Sequence, residues 1–179
     1  AGMGMSASGA GEGILTLTLD GDQSWQYQNV LRVLRAMENL YDSFDESQKK
    51  KQLGYVKGAQ VMSIYLGLFG TDLYGAIPYK EACKAAYGGT LTPEYDSVES
   101  LYDLWLTQLD ECIAAFTSDD VSIKSEQDVV CGGDKAKWAK FANSLKLKIA
   151  VRLLAQNPTK AKQIAAAVES ASCGYMNTN

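Results

Sequence analysis

Residues 67–82 read GLFGTDLYGAIPYKEA, and the reading of this stretch decides the fold. It opens like the end of a buried helix and closes like an ordered turn. Three aromatics, three glycines and one proline fall within it, with few charges. A plain connection between helices needs only a few polar residues. A segment this rich in rings and turn formers is more than a connection requires: Gly75 permits a tight backbone, Pro78 stiffens the exit, and Tyr74 and Tyr79 can pack while their hydroxyls tie down the loop.

The residues upstream are helical in period. VMSIYLGLF, 61–69, is apolar nearly all round and predicts the buried end of a helix over roughly 48–69, with Tyr55, Ala59, Met62, Leu66 and Phe69 on its inner stripe. Gly70 is the expected left-handed stop, and Pro78 fixes an extended segment beyond it. An earlier helix spans roughly 26–44, where Val30, Val33, Leu34, Met37, Tyr41 and Phe44 repeat at three and four; Asp45, Glu46 and Ser47 then offer a break and a new cap. Before it, ILTLTLD at 14–20 alternates apolar residues and Thr, as a short strand or an extended arm does.

Downstream, the turn-rich 88–93 leads to AspSerValGlu at 96–99, which predicts a capping box with Asp96 as cap and Glu99 reaching back. A third helix carries Val98, Leu101, Trp105, Leu109, Cys112 and Phe116 on one face. After a polar loop, roughly 117–134, the fourth places Trp138, Phe141, Leu145, Ile149 and Leu153 together. Asn157 and Pro158 break it, and Pro158 opens a fifth with Ile164, Ala165 and Val168 inward. Five helices with antiparallel-length connections predict an all-α fold of tetratricopeptide-like antiparallel helix pairs with long ordered loops. Residues 1–25 are expected to form a flexible or extended N-terminal segment and 26–179 the helical body, an incomplete domain whose last helix lacks a polar outer side.

Composition removes several functions. The 179 residues carry a net charge of −4, and LysLysLys at 49–51 is the only basic run, so no nucleic-acid partner is expected. Histidine is absent, which eliminates Ser-His and Cys-His catalysis and histidine-ligated metals. Cys83, Cys112, Cys131 and Cys173 are too dispersed for a zinc cluster, and Cys112 sits at core spacing in a helix. GAGEG at 9–13 lacks phosphate-loop spacing, AspGlyAsp at 20–22 lacks the remaining ligands of a calcium loop, and the adjacent Asp110 and Glu111 point to different helix faces. No enzyme, metal or cofactor is expected. No run of 18 apolar residues exists, so no helix is expected to span a membrane.

Aromatics remain. Trp105 and Trp138 lie on apolar stripes and read as core. Trp25 and Tyr27 sit in GDQSWQYQN, a polar loop entering the first helix. They are either a hydrophobic staple for that helix or a stacking platform for a sugar, with Asp22, Gln23 and Asn29 as polar neighbours. Trp25, Tyr27 and Asn29 are the ligand-binding candidates.

The order of motifs resembles the SusD/RagB family of outer-membrane lipoproteins. Asp72, Tyr74, Gly75, Ile77, Pro78, Tyr79, Glu81 and Ala82 match its D-x-Y-G-D-I-P-Y-x-E-A segment, with Ala76 where Asp is usual. Pro93, Tyr95, Asp96 and Ser97 match the next block, Leu109, Asp110, Glu111 and Ile113 the one after. GGDKAKWAKFANSLKLKIAVRL, with Trp138 and Asn143, is similar to a further one. The resemblance implies a SusD-like helical fold and no catalysis. It also implies capture of oligosaccharides, less often peptides, for a SusC-like TonB-dependent transporter, at the extracellular face of the outer membrane. Membrane contact would run through a lipid anchor that lies outside this chain. Asp72, Tyr74, Gly75, Pro78, Tyr79, Trp138 and Asn143 would then be scaffold; Asn143 is expected to hydrogen-bond a loop rather than a ligand. The contrasting expectation is a helical-repeat module that binds a protein and no sugar.

Overall fold

The computed structural model describes residues 5–6, 16–17 and 27–176. Among them are five α-helices: α1 Arg32–Asp42, α2 Glu46–Tyr74, α3 Val98–Thr117, α4 Lys135–Leu153 and α5 Pro158–Ser170. A wide helical turn of π type, Tyr27–Leu31, runs straight into α1. Met5–Ser6 pairs antiparallel with Thr16–Leu17, and of these two only Thr16–Leu17 lies in the stretch 14–20 expected to be a strand or an extended arm. The glycine-rich 9–13, Asp20, Asp22, Gln23 and Trp25 lie outside the described residues. The fold is all-α, as the periodicity predicts.

Each helix packs chiefly on its neighbour in sequence, α1 on α2, α2 on α3, α3 on α4 and α4 on α5. The core is the shared seam: Leu34 from α1, Val61, Ile64 and Leu68 from α2, Leu101, Trp105, Leu109 and Phe116 from α3, Leu145 and Ile149 from α4, Val168 from α5. Close approach of α2 and α3 depends on a missing side chain. A Cβ on Gly67 would stand 2.6 Å from the Trp105 ring, so only glycine lets the indole lie against the helix backbone.

Two boundaries and the burial of two residues differ from expectation. Helix α2 runs through Gly70 to Tyr74, and the left-handed residue is Gly75 (φ 73°), whose amide donates to Thr71 O at 3.0 Å. Glycine permits the left-handed state but does not impose it; the extra turn carries Asp72 to Arg152 of α4 and half-buries Tyr74 against the core. The cap of α3 is Ser97, whose hydroxyl accepts from Ser100 N at 3.2 Å, because the Asp96 carboxylate is occupied elsewhere. Val33 and Phe69, placed on the inner stripes of the first and second helices by their spacing, are 46% and 48% exposed; Leu31, Leu34 and Arg35 are what the first segment buries, and Val61, Ile64 and Leu68 are the apolar residues that α2 buries. The other caps agree with the sequence: Asp45 and Gln48 form a reciprocal capping box, and Asn157 caps α5 ahead of Pro158.

The loop between α3 and α4 is tied by one carboxylate. Asp128 accepts from the amides of Val130, Cys131 and Gly133 at 3.0, 3.1 and 2.9 Å and from Trp138 Nε1 at 2.7 Å. Trp138 stacks on Phe116, with centroids 5.9 Å apart. Burial pushes the Asp128 carboxyl up, but these four donors outweigh it and hold the group below its ordinary value. Cys112 is fully buried, its thiol directed at Gln60 Oε1, and burial raises it to about 12.

Gly67→Ala is expected to destabilise the chain by about 1–3 kcal/mol through overpacking against Trp105, read as a lower urea midpoint. Because the folded value of Asp128 is depressed, its contribution is present above the unfolded value and is lost as pH falls through the folded one. Asp128→Asn is therefore expected to be less stable than the parent at neutral pH and to lose less stability on acidification below about pH 4. Equal slopes of stability against pH in the two proteins would contradict the assignment.

Candidate functional site

The site is built outward from Tyr79. Its ring is buried, lies edge-on to Trp105 at 5.2 Å, and its hydroxyl pairs with Ser63 Oγ of α2 at 2.9 Å. Burial pushes the phenol up to about 12, so it stays neutral. The strand-like piece around it is pinned to the start of α3: Asp96 N donates to Ile77 O, and the Asp96 carboxylate accepts from Tyr79 N at 3.0 Å and Lys80 N at 2.9 Å. From the other side, buried Arg35 of α1 donates to Tyr79 O at 2.9 Å and Ala82 O at 3.5 Å, and pairs with Glu38 at 2.8 Å. An otherwise apolar seam accepts this guanidinium because carbonyls and a carboxylate take its protons.

This clasp holds the segment after Tyr79 alongside α1. The chain turns at Cys83, a non-glycine residue at φ 64°, into the helical turn Ala85–Tyr87, closed by Tyr87 N to Lys84 O at 2.8 Å and Gly89 N to Lys84 O at 3.0 Å. Between that turn and α1 lies an open groove with two arms. The apolar arm, about 540 Å³, runs between Val33, Ala36, Met37 and Leu40 of α1 and Ala85 and Ala86 opposite. The polar arm, about 420 Å³, is lined by Glu38, Asn39 and Asp42 of α1 with Lys84, Gly88 and Gly89. Tyr87 lines both arms and is 42% exposed. An exposed ring flanked by amide, carboxylate and ammonium groups suits a ligand with a C–H face and a rim of hydroxyls. Among the described residues, no three metal-ligating side chains converge.

Of the ligand candidates from the sequence, Tyr27 and Asn29 fall among the described residues. Trp25 lies outside the described residues, Tyr27 begins the turn that leads into α1, and Asn29 is exposed one turn ahead of the groove residues Arg32 and Val33. Asn29 itself lines neither arm. The motif residues sit in the framework. Asp72 makes a two-pronged ion pair with Arg152, one prong at 2.6 Å from Nε. Gly75 closes α2, and Pro78 stands half-buried between the buried Ile77 and Tyr79. Asn143 is fully buried and donates to Val168 O and Gly174 O, tying the end of α5 to α4. Tyr87 and Leu40 carry no motif and do not stand out in the sequence. A signal for them exists all the same: the first helical segment is apolar on two faces, Leu31 and Leu34 on one, Val33, Ala36 and Leu40 on the other, more than one core face needs.

A family model described as SusD-like, starch-binding associating with outer membrane, matches residues 16–179. No curated protein sequence matches. Among solved structures, the chain is similar to a SusD homolog from Bacteroides uniformis, with 29% identity and a TM-score of 0.72 over 86% of this chain and 30% of that one. A chitin-binding protein gives 27% identity and 0.72 over 89% and 32%. A chitin-binding SusD homolog from Flavobacterium johnsoniae gives 23% and 0.74 over 88% and 31%, a likeness of fold. The chain thus spans about a third of the length of these structures.

The Cys83 thiol lines the apolar arm and is raised by burial, so it is expected to react slowly with iodoacetamide at neutral pH and faster as pH rises past its ordinary value. Labelling at Cys83, read by peptide mass spectrometry, is expected to slow further when a ligand fills the groove; an unchanged rate with ligand bound would place that ligand elsewhere.

Proposed function

The chain belongs to the SusD-like family, and on that premise we propose that it is a non-catalytic binding protein that captures oligosaccharides, and less well peptides, at the outer-membrane surface. In this reading it hands its ligand to a SusC-like TonB-dependent transporter, residues 1–25 form an N-terminal arm, and 26–179 are the helical part of a SusD-like domain. A lipid anchor would hold the full-length protein at the extracellular face. The observation that carries the reading is the two-armed groove with Tyr87 at its junction. Its ring offers a stacking face, and Asn39, Asp42 and Lys84 supply acceptors and donors for hydroxyls. The 27%-identical chitin-binding relative supports a glycan ahead of a peptide.

A second reading, a helical module that binds a protein, has its own observation. Phe69 and Leu73 of α2, Val151 of α4 and Leu154 just beyond it are all about half exposed and flank the Asp72–Arg152 pair. Such a face is chemically suited to an apolar protein surface.

Calorimetric titration with a panel of oligosaccharides, short peptides and a Tyr87→Ala variant separates the two. The glycan reading expects saturable sugar binding that weakens about tenfold in the variant, the loss of one stacking contact. Trp25→Ala, titrated alongside, reports whether the loop before α1 contributes. Sugar binding absent from the panel, with protein capture lost on replacing Phe69 and Leu73 by Ser, would favour the second reading.

A further inference from the structure

We infer that the apolar arm of the groove is a recess for the acyl group of an N-acylated sugar; this rests on the glycan reading above and narrows it to a chemical class. The two arms differ in kind while sharing one ring. A sugar bearing only hydroxyls can lay its C–H face on Tyr87 and direct its rim at Asn39, Asp42 and Lys84. It has nothing to place in the other arm. There most of the wall is Val33, Ala36, Met37 and Leu40 against Ala85 and Ala86, which offer side-chain methyls and a thioether; Arg32 and Cys83 are the other members of the lining besides Tyr87. A hydroxyl set among those six apolar side chains gives up water without gaining a partner from them, which is unfavourable.

An acetamido substituent fills this space as a plain hexose does not. Its methyl removes apolar surface from water on both sides, and its amide carries one donor and one acceptor back toward the junction. The polar arm supplies both complements: the Asp42 carboxylate accepts, the Lys84 ammonium donates, and the Asn39 amide does either. Charge agrees. Arg32, Arg35 and Lys84 stand against Glu38 and Asp42 along the groove, and Arg35 and Glu38 are already paired with each other. With that pair set aside, Arg32 and Lys84 face Asp42, a small positive excess that does not call for an anionic sugar and leaves a neutral one acceptable. An apolar side chain of an extended peptide could also enter the arm. Extended peptides, however, are held by an open strand edge, and the two walls here are α1 and the turn Ala85–Tyr87.

The test uses two ligands that differ in one group, the β1,4-linked tetramers of N-acetylglucosamine and of glucose, titrated calorimetrically against the parent, Leu40→Asn and Tyr87→Ala. Leu40 is 55% exposed, so its replacement is expected to leave thermal unfolding unchanged, and circular dichroism checks this. The acetylated tetramer is expected to bind about tenfold or more tightly than the glucose tetramer, the discrimination one methyl-bearing group gives in an apolar pocket. Leu40→Asn should erase most of that preference and leave binding of the glucose tetramer in place. Equal affinity for the two tetramers, lost in Tyr87→Ala, would overturn the acyl recess and leave the glycan reading standing. A preference that survives Leu40→Asn would overturn the recess at this place. Failure of both tetramers and the wider sugar panel, with binding of a leucine-containing peptide, would overturn the recess and the glycan reading together.

Discussion

The Asp96 carboxylate is the constraint on which the rest of the structure depends. It stands two residues before the first residue of α3, yet one of its oxygens accepts the amides of Tyr79 and Lys80, and its own amide closes an antiparallel bridge to Ile77. A chain leaving a helix through glycine and proline has two successive amides with no helical partner. Left buried and unmet, each would cost about 1–3 kcal/mol. One side chain answers both. In doing so it sets the distance between the end of α2 and the start of α3, and Lys80 reinforces it with an ion pair at 3.3 Å and a bond to Ser100.

Once Tyr79 is fixed, α1 has a place to dock. Arg35 reaches the carbonyls of Tyr79 and Ala82, so the first helix is bound less by a wide apolar face than by a charged fork inserted into backbone. That mode of attachment has a consequence for function. A helix held by Leu31, Leu34 and one arginine does not need its remaining apolar residues for the core, and Val33, Ala36 and Leu40 are left facing the turn Ala85–Tyr87. The groove is thus a by-product of how α1 is anchored, and its position is dictated by the same motif that joins α2 to α3.

The second half of the chain repeats this logic with other residues. Asp128 gathers three amides and the Trp138 indole, and Asn143 gathers the carbonyls of Val168 and Gly174. In each case a buried polar side chain satisfies the backbone of an irregular segment and leaves the helix faces apolar. Long connections can therefore be ordered without a sheet to brace them. The connection between α2 and α3, which Asp96 and Arg35 order in the same way, borders the groove.

Much of this is legible in the sequence, because it depends on local chemistry. Helical period, the caps at Asp45 and Asn157, the burial of Trp105 and Trp138, and the order of motifs that resembles the SusD/RagB family all follow from residues close together along the chain. What tertiary structure decided is where polar side chains spend their hydrogen bonds and which of two apolar faces becomes core. Asp96 reads as a helix cap, and Ser97 takes the cap, since the alternative partner of Asp96, the amide of Tyr79, is 17 positions away and only folding brings it near. Gly70 reads as a stop, but the packing of Tyr74 and the Asp72–Arg152 ion pair, both carried by one more turn of α2, outweigh its freedom to end the helix. Val33 reads as core and lies in a groove, because periodicity identifies the faces of a helix and not what each face meets. Burial is a property of a pair of surfaces, and a single segment holds only one of them.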